Sequence, residues 1–407
     1  MNLDEALDNL SKPAWVHSQS DADVARTIQS IPGYASSGKT LIPVANLHGP
    51  QALRPVDVLR GLAYATRMHH IHPDVYDLYS MWSWIRYLGL FSRDAGDGLI
   101  LSPEASHIRG NQRRIVSEEL GIGFAKVYGE LWMTSLGPGA VTFVDVDVVP
   151  DGGTIPFASG RHAVKSVSSR RPDYFMIHTN PASGRSRVRV LESKGTSSAS
   201  NQFKQLASAV HQLESVHING SAPFGLAVSV ALPDSGPVRV LSIDPPGDDW
   251  DEPQFQVRIP DEIGDAVAIS SEPQEPAGSG IFEASLARLA DYAGSQGAAI
   301  SWAPSHLRDR LYRRPDELVE TLETPAGTCV GRVASFLSRG RRVDLFAGVA
   351  AEVNAALVSL DREALLSAQA DFASAFPVLR DHSRRAYDGR ATSIGIDGTV
   401  LDIRLEV

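Results

Sequence analysis

The chain has 407 residues, 43% apolar and 21% charged; this is globular usage, which excludes extensive disorder and predicts two or three domains. A single cysteine, Cys329, excludes a disulfide framework and a cysteine-based zinc site and reads as a core residue. The net charge of −10 argues against an indiscriminate nucleic-acid coat. No apolar stretch approaches the roughly 20 residues of a membrane helix, and the acidic start MNLDEALDNL has no signal-peptide pattern, so a cytoplasmic protein is expected.

Residues 1–105 read as a mostly helical domain. A short helix is predicted over Asp21–Ile31, a second from Arg54-Pro55 to about Met68, with proline in the first turn, and a third from Asp74 to about Leu88. Two apolar runs flanking Asp94–Gly98 suit a hairpin, and helix, helix, hairpin resembles a winged-helix module. Residues 106–245 change character. A helix is predicted over Asn111–Trp132, with Val116, Leu120, Phe124, Val127 and Leu131 on its inward stripe. Strands follow at Ala140–Val149, Pro172–Ile177, Arg187–Lys194, Phe224–Ala231 and Val238–Ile243. A helix over Ser200–Val216, with Phe203, Leu206, Val210 and Leu213 on one face, lies between the third and fourth. Helix, three strands, helix, strand predicts an α/β core with a central sheet flanked by helices. Residues 246–280, rich in Pro, Gly, Asp and Glu, read as a linker. Residues 281–407 read as a mostly helical domain, with helices at Ile281–Ser295 and Arg341–Leu360 and a terminal hairpin around Asp397-Gly398.

The chemistry concentrates in RRPDYFMIHTNPASGRSRVRVLESKG. Side chains alternate along a strand, so Val188, Val190, Glu192 and Lys194 share one face. An apolar strand face that ends in a carboxylate and an ammonium breaks local patterning, as functional sites do. Asp173 starts the neighbouring strand and can approach Glu192. Two adjacent carboxylates repel unless a cation lies between them, and oxygen ligands of this kind suit Mg²⁺. Only six of the 38 basic residues are lysines, and Lys194 alone has an acid two residues before it. Between Arg161 and Lys194 eight Lys/Arg face two acids, a local charge of +6 within a chain that elsewhere carries −16. A basic segment around carboxylates suits a phosphate backbone, with Lys165, Arg170, Arg171, Arg185 and Arg187 as its contacts and Lys204 beyond them.

Pro172-Asp173, 18 intervening residues and Glu192-Ser193-Lys194 resemble the PD-(D/E)XK nuclease superfamily, the restriction-endonuclease-like fold, over about residues 110–245. The resemblance implies that Asp173 and Glu192 bind Mg²⁺ or Mn²⁺, with a contribution from the Ser193 carbonyl, and that Lys194 assists the attacking water. Pro150-Asp151 is a weaker candidate for the first acid, since it lies too far back for a simple hairpin. Family members also use a glutamate on the preceding helix. Glu119 borders the inward stripe and is favoured over Glu118 and Glu130. They often place a polar residue on the following helix too, where Gln202 is favoured over Gln205.

Gly33–Thr40 matches the phosphate-cradling G-x-x-x-x-G-K-[ST] pattern, but a helix precedes it and Pro43 and Gly49-Pro50 follow, so no helix N-terminus would face the phosphates. His69, His70 and His72 do not share a helix face, and Arg308, Arg310, Arg313 and Arg314 lie among acids. The expected protein is therefore a Mg²⁺-dependent nuclease acting on DNA, with RNA also open, in restriction or anti-phage defence. Double-strand cutting would favour a homodimer. The alternatives are a silent nuclease-fold binding or assembly protein and a P-loop nucleotide-binding regulator.

Overall fold

In the computed structural model the described residues are 1–32, 34, 40–66, 73–148, 154–157, 160–166, 171–180, 185–218, 222–247, 254–256, 280–308, 319–325, 327–384 and 389–406. The chain opens with α1 (Leu3–Ser11), β1 (Ala14–Gln19), α2 (Ala22–Gln29), β2 (Gly49–Leu53), α3 (Pro55–Ala65), α4 (Pro73–Ile85) and the hairpin β3 (Phe91–Arg93) and β4 (Leu99–Leu101). Asn2 and Glu5 form a capping box on α1, and Asp21 caps α2 through the Val24 amide. The long helix α5 (Gly110–Met133) then leads to β5 (Ala140–Asp145), β6 (Thr154–Phe157), β7 (Gly160–Ser166), β8 (Tyr174–Asn180) and β9 (Arg185–Thr196). After α6 (Gln202–Leu213) come β10 (Val216–Ile218), β11 (Gly225–Ala231), β12 (Arg239–Ile243) and β13 (Gln254–Gln256). The last third holds α7 (Gly280–Ala293), α8 (Gln296–Trp302), α9 (Ser305–Arg308), β14 (Glu320–Thr324), β15 (Gly327–Ser338), β16 (Arg341–Ala350), α10 (Ala351–Ser359), α11 (Arg362–Ser383), β17 (Arg390–Ile394) and β18 (Thr399–Glu406).

A mixed central sheet runs β2-β1-β12-β11-β9-β8-β5, with β13 pairing the start of β9. The β1/β12 and β9/β11 pairs are parallel, and the other neighbours are antiparallel. Every residue of β11 is buried, as expected of a strand covered on both faces. One cover is α5, which approaches β9 so closely that a Cβ on Gly195 would overlap the Ser117 carbonyl. Replacing Gly195 with alanine is therefore expected to destabilise the fold by about 3 kcal/mol; an unchanged urea midpoint would mean that α5 stands farther from β9. The other cover is α6, whose Leu213 would meet a Cβ on Gly225 at 3.1 Å.

The expected α/β core with its flanking helices is present, but the two flanking domains differ from their expectations. Residues 1–105 do contain two helices and a hairpin in the expected order. They also supply β1 and β2 to the central sheet, and α3 packs on α5, so this segment is not a separate helical module. Residues 281–407 are not mostly helical, because β14-β15-β16-β18-β17 form a five-stranded antiparallel sheet. The helix expected over 341–360 is β16 followed by α10, since Arg341–Ala350 pairs along one edge with β15 and along the other with β18. One hydrophobic cluster extends from Leu7 to Leu405, so the N-terminal, central and C-terminal segments share a core. The segment expected to be a linker contributes β13 to the sheet, and most of the rest of it lies outside the described residues. No helix among the described residues is long and apolar enough to cross a membrane.

Candidate active site

Two strands place the central pair of carboxylates. The β8/β9 register ends with Tyr174 opposite Leu191, and at the bend before it the Asp173 amide donates to the Leu191 carbonyl at 3.2 Å. Asp173 thus stands just outside the strand, close enough to Glu192 for the two charges to act on each other. The Ser193 amide donates to Asp173 Oδ2 at 2.9 Å and fixes that carboxylate. Val188 and Val190 are fully buried, as the alternation along β9 requires, and Glu192 after them is also 0% exposed. Lys194 donates to Glu192 Oε1, while Glu192 Oε2 is buried without a hydrogen-bond partner. A buried carboxylate oxygen left in that state costs free energy unless something satisfies it.

Burial pushes Glu192 up to about 8; the Asp173 charge adds to the rise and Lys194 opposes it. Burial also pushes Asp173 up to about 6, against the Ser193 amide and Lys194, with Asp145 adding to the rise. Both carboxyls thus hold protons more tightly folded than unfolded. The stability they confer is complete below their ordinary pKa values and is lost as pH rises through the folded ones. In EDTA the protein is expected to lose on the order of 3 kcal/mol between pH 5 and pH 8. Urea midpoints at the two pH values check this, and Glu192→Gln should flatten most of the slope. A slope unchanged in that variant would assign the titration elsewhere.

An open polar cleft of about 490 Å³ adjoins the pair, lined by Asp145, Asp147, Arg171, Pro172, Asp173 and Tyr174. Asp145 ends β5 and pairs with Tyr174. Arg171 Nη1 donates to Asp147 Oδ1 at 2.9 Å, and the Arg171 carbonyl accepts from Gln212 Nε2 at 2.8 Å. Neither Asp145 nor Asp147 is among the residues expected at the nuclease site, although AVTFVD is an apolar strand that ends in a carboxylate.

Asp173, Glu192 and Lys194 thus come together, and other expected residues do not join them. Glu119 accepts from Arg86 and from the Tyr87 hydroxyl. Of its alternatives, Glu118 pairs with Arg114 at 3.5 Å and Glu130 belongs to a buried ion cluster with Arg60 and Lys126. Where α5 meets β9 it presents the backbone of Ser117–Glu118 rather than a carboxylate. Gln202 Nε2 donates to the Ser229 and Arg239 carbonyls, both at 3.0 Å, and so ties α6 to β11 and β12. It is Gln205 that stands beside Lys194, donating to the Gly195 carbonyl at 3.2 Å with its own Oε1 buried and without a hydrogen-bond partner. Arg187 pairs with His178, seven residues before Lys194 on β9, or roughly 23 Å along the strand, so it lies away from the carboxylates. Lys204 is exposed on α6. Arg170 lies outside the described residues, and Lys165 and Arg185 are placed only as backbone positions in β7 and β9. Nearly all of the Gly33–Thr40 match and His69, His70 and His72 also lie outside them, as do Arg310, Arg313 and Arg314.

Among the described residues no group of three or more His, Cys, Asp or Glu forms a metal cage. The donor set does fit a hard divalent ion that keeps several waters: two neighbouring carboxylates, one with an orphaned oxygen. Comparison of the chain with protein-family models, curated proteins and solved structures finds no match.

Proposed function

We propose that the chain is a Mg²⁺- or Mn²⁺-dependent nuclease of the PD-(D/E)XK type that hydrolyses phosphodiester bonds of DNA. The observation that carries this reading is the buried Glu192, bonded to Lys194 through one oxygen, orphaned at the other and within reach of the Asp173 charge. The order α5, β5, β8, β9, α6, β11, with β11 parallel to β9, supports the restriction-endonuclease-like assignment. Asp173 and Glu192 would hold the metal, and the Ser193 carbonyl is near enough in sequence to contribute. When bound, such an ion polarises a phosphate oxygen and acidifies water.

The remaining work belongs to the chain's own groups. Lys194 would donate to the oxygen of the attacking water, orienting it, and offset negative charge that develops on the phosphate. Glu192 must shed its proton before it can act as a ligand, so metal binding should release a proton and tighten as pH rises. Arg171, in the cleft, and Lys204, exposed on α6, would meet backbone phosphates. Cutting both strands would require two copies, one site for each strand. Restriction or anti-phage defence in the cytoplasm is the role such a nuclease would serve.

Plasmid and single-stranded DNA, and RNA beside them, incubated with Mg²⁺ or EDTA test the reading. Cleavage in Mg²⁺ that is abolished by EDTA is the expected result. Binding without cleavage in Mg²⁺ or Mn²⁺ would leave a silent binding protein instead.

A further inference from the structure

A second positive site stands at the start of α5. The helix begins Arg109-Gly-Asn-Gln-Arg113-Arg114, with no acid in its first turn and no side-chain cap from Arg109. The first amides of a helix have no partner within it, and its N-terminus carries a partial positive charge. Arginines there run against the helix dipole unless an anion is bound. Arg113 is the independent observation. It is 5% exposed, and although Nη2 donates to the Leu232 carbonyl, its Nε and Nη1 are buried without hydrogen bonds. Among the described residues the anion paired with it is Asp234, 53% exposed, whose carboxylate lies 3.3 Å from Arg113 Nε and 3.5 Å from Arg109 Nη1. Arg109 Nη1 also donates to the Ser106 and Ile108 carbonyls, and one carboxylate spread between two guanidinium groups still leaves Arg113 nitrogens that a phosphate, with more oxygens, would fill.

The position relates this site to the carboxylates. The Leu232 amide donates to the Thr196 carbonyl at 2.8 Å, so Arg113 is tied to β9 two residues beyond Lys194. Two residues of strand span about 7 Å. We propose that the N-terminus of α5 is a phosphate site in which Arg113, Arg109 and the first-turn amides take a backbone phosphate of the nucleic-acid strand, displacing Asp234. The identity of the ligand rests on the nuclease reading, while the anion site rests on the geometry alone.

The test is binding of a short fluorescein-labelled DNA duplex in EDTA, followed by anisotropy across a salt series, with inorganic phosphate as a second probe by thermal shift. Arg109 and Asp234 are both exposed, so their substitution spares the core. Arg109→Ala is expected to weaken DNA binding about fivefold and to reduce the salt slope by about one. Asp234→Asn is expected to tighten binding about threefold. Unchanged affinity and slope in both variants, or weaker binding by Asp234→Asn, overturns the site, as does a wild type that responds to neither probe. A phosphate response lost in Arg109→Ala but without DNA binding overturns the nucleic-acid ligand. Variant effects on binding in a protein that cuts nothing in Mg²⁺ support the site, and it is then the nuclease reading that falls.

Discussion

Replacing Lys194 with methionine is expected to lower Mg²⁺-supported DNA cleavage by about 10²–10³-fold, the range seen when one preorganised charge-stabilising donor is removed. The substitution keeps the length of the side chain and much of its packing, so the loss reads the ammonium itself. That ammonium has a single described partner, Glu192 Oε1, and its side chain is 25% exposed, so it can reach a bound phosphate without leaving the carboxylate. Lys194→Arg should not restore the rate, since a planar fork does not occupy the place of a compact point charge. Glu192→Gln and Asp173→Asn should cost at least as much, and for a different reason. Each removes a ligand charge, so raising the Mg²⁺ or Mn²⁺ concentration should recover part of their activity and none of that lost in Lys194→Met. Single-turnover cleavage over a metal titration separates the two behaviours. Equal rates for wild type and Lys194→Met would remove Lys194 from the reaction.

What could be read in advance follows from the range of the forces involved. The helices α5 and α6 and the strands β8 and β9 carry their own periodicities, 3.6 and 2, in contiguous residues, and Asp173, Glu192 and Lys194 stand out as charges that break the second of these. The hairpin turns at Asp94–Gly98 and Asp397-Gly398 announce themselves in the same local way. By contrast, β1 joins the central sheet through a parallel pairing of His17 with Arg239, more than two hundred residues away, and nothing local marks such a partner. The sequence RRVDLFAGVAAEVNAALVSL has apolar residues spaced for a helix throughout. The junction of β16 and α10 at Ala350 carries neither glycine nor proline nor a side-chain cap, and pairing with β15 and β18 decides the conformation of its first half. Helical phase points to Glu119 and Gln202, but it identifies the face and not the partner on it. Arg86 and Tyr87 engage the first and two strand carbonyls the second.

The larger stability prediction concerns charges far from the cleft. Arg60 on α3, Lys126 and Glu130 on α5, and Asp397 in the β17–β18 turn are all at most 8% exposed. Glu130 bonds Arg60 at 2.7 Å and Lys126 at 2.5 Å, and Lys126 lies 3.4 Å from Asp397. Arg60 also donates to Thr399 and Ser393, at 2.8 and 3.1 Å, and so binds the C-terminal sheet to α3 and, through Glu130, to α5. Burial alone would raise the Asp397 pKa, but Lys126, Arg60 and Thr399 hold it below the ordinary carboxylate range. Two cations and two anions balance there, so removing one leaves a net buried charge. Asp397→Ala is therefore expected to destabilise the protein by about 3–5 kcal/mol, measured by urea denaturation at pH 7. Replacing Lys126 and Asp397 together, with methionine and alanine, should cost less than the two single losses added, because the double variant is neutral again. Since α5 also supports Gly195 next to Lys194, a loosened cluster should lower cleavage only near the unfolding transition and leave the rate at low temperature intact. A rate lost in proportion at every temperature would mean that the cluster positions the site directly.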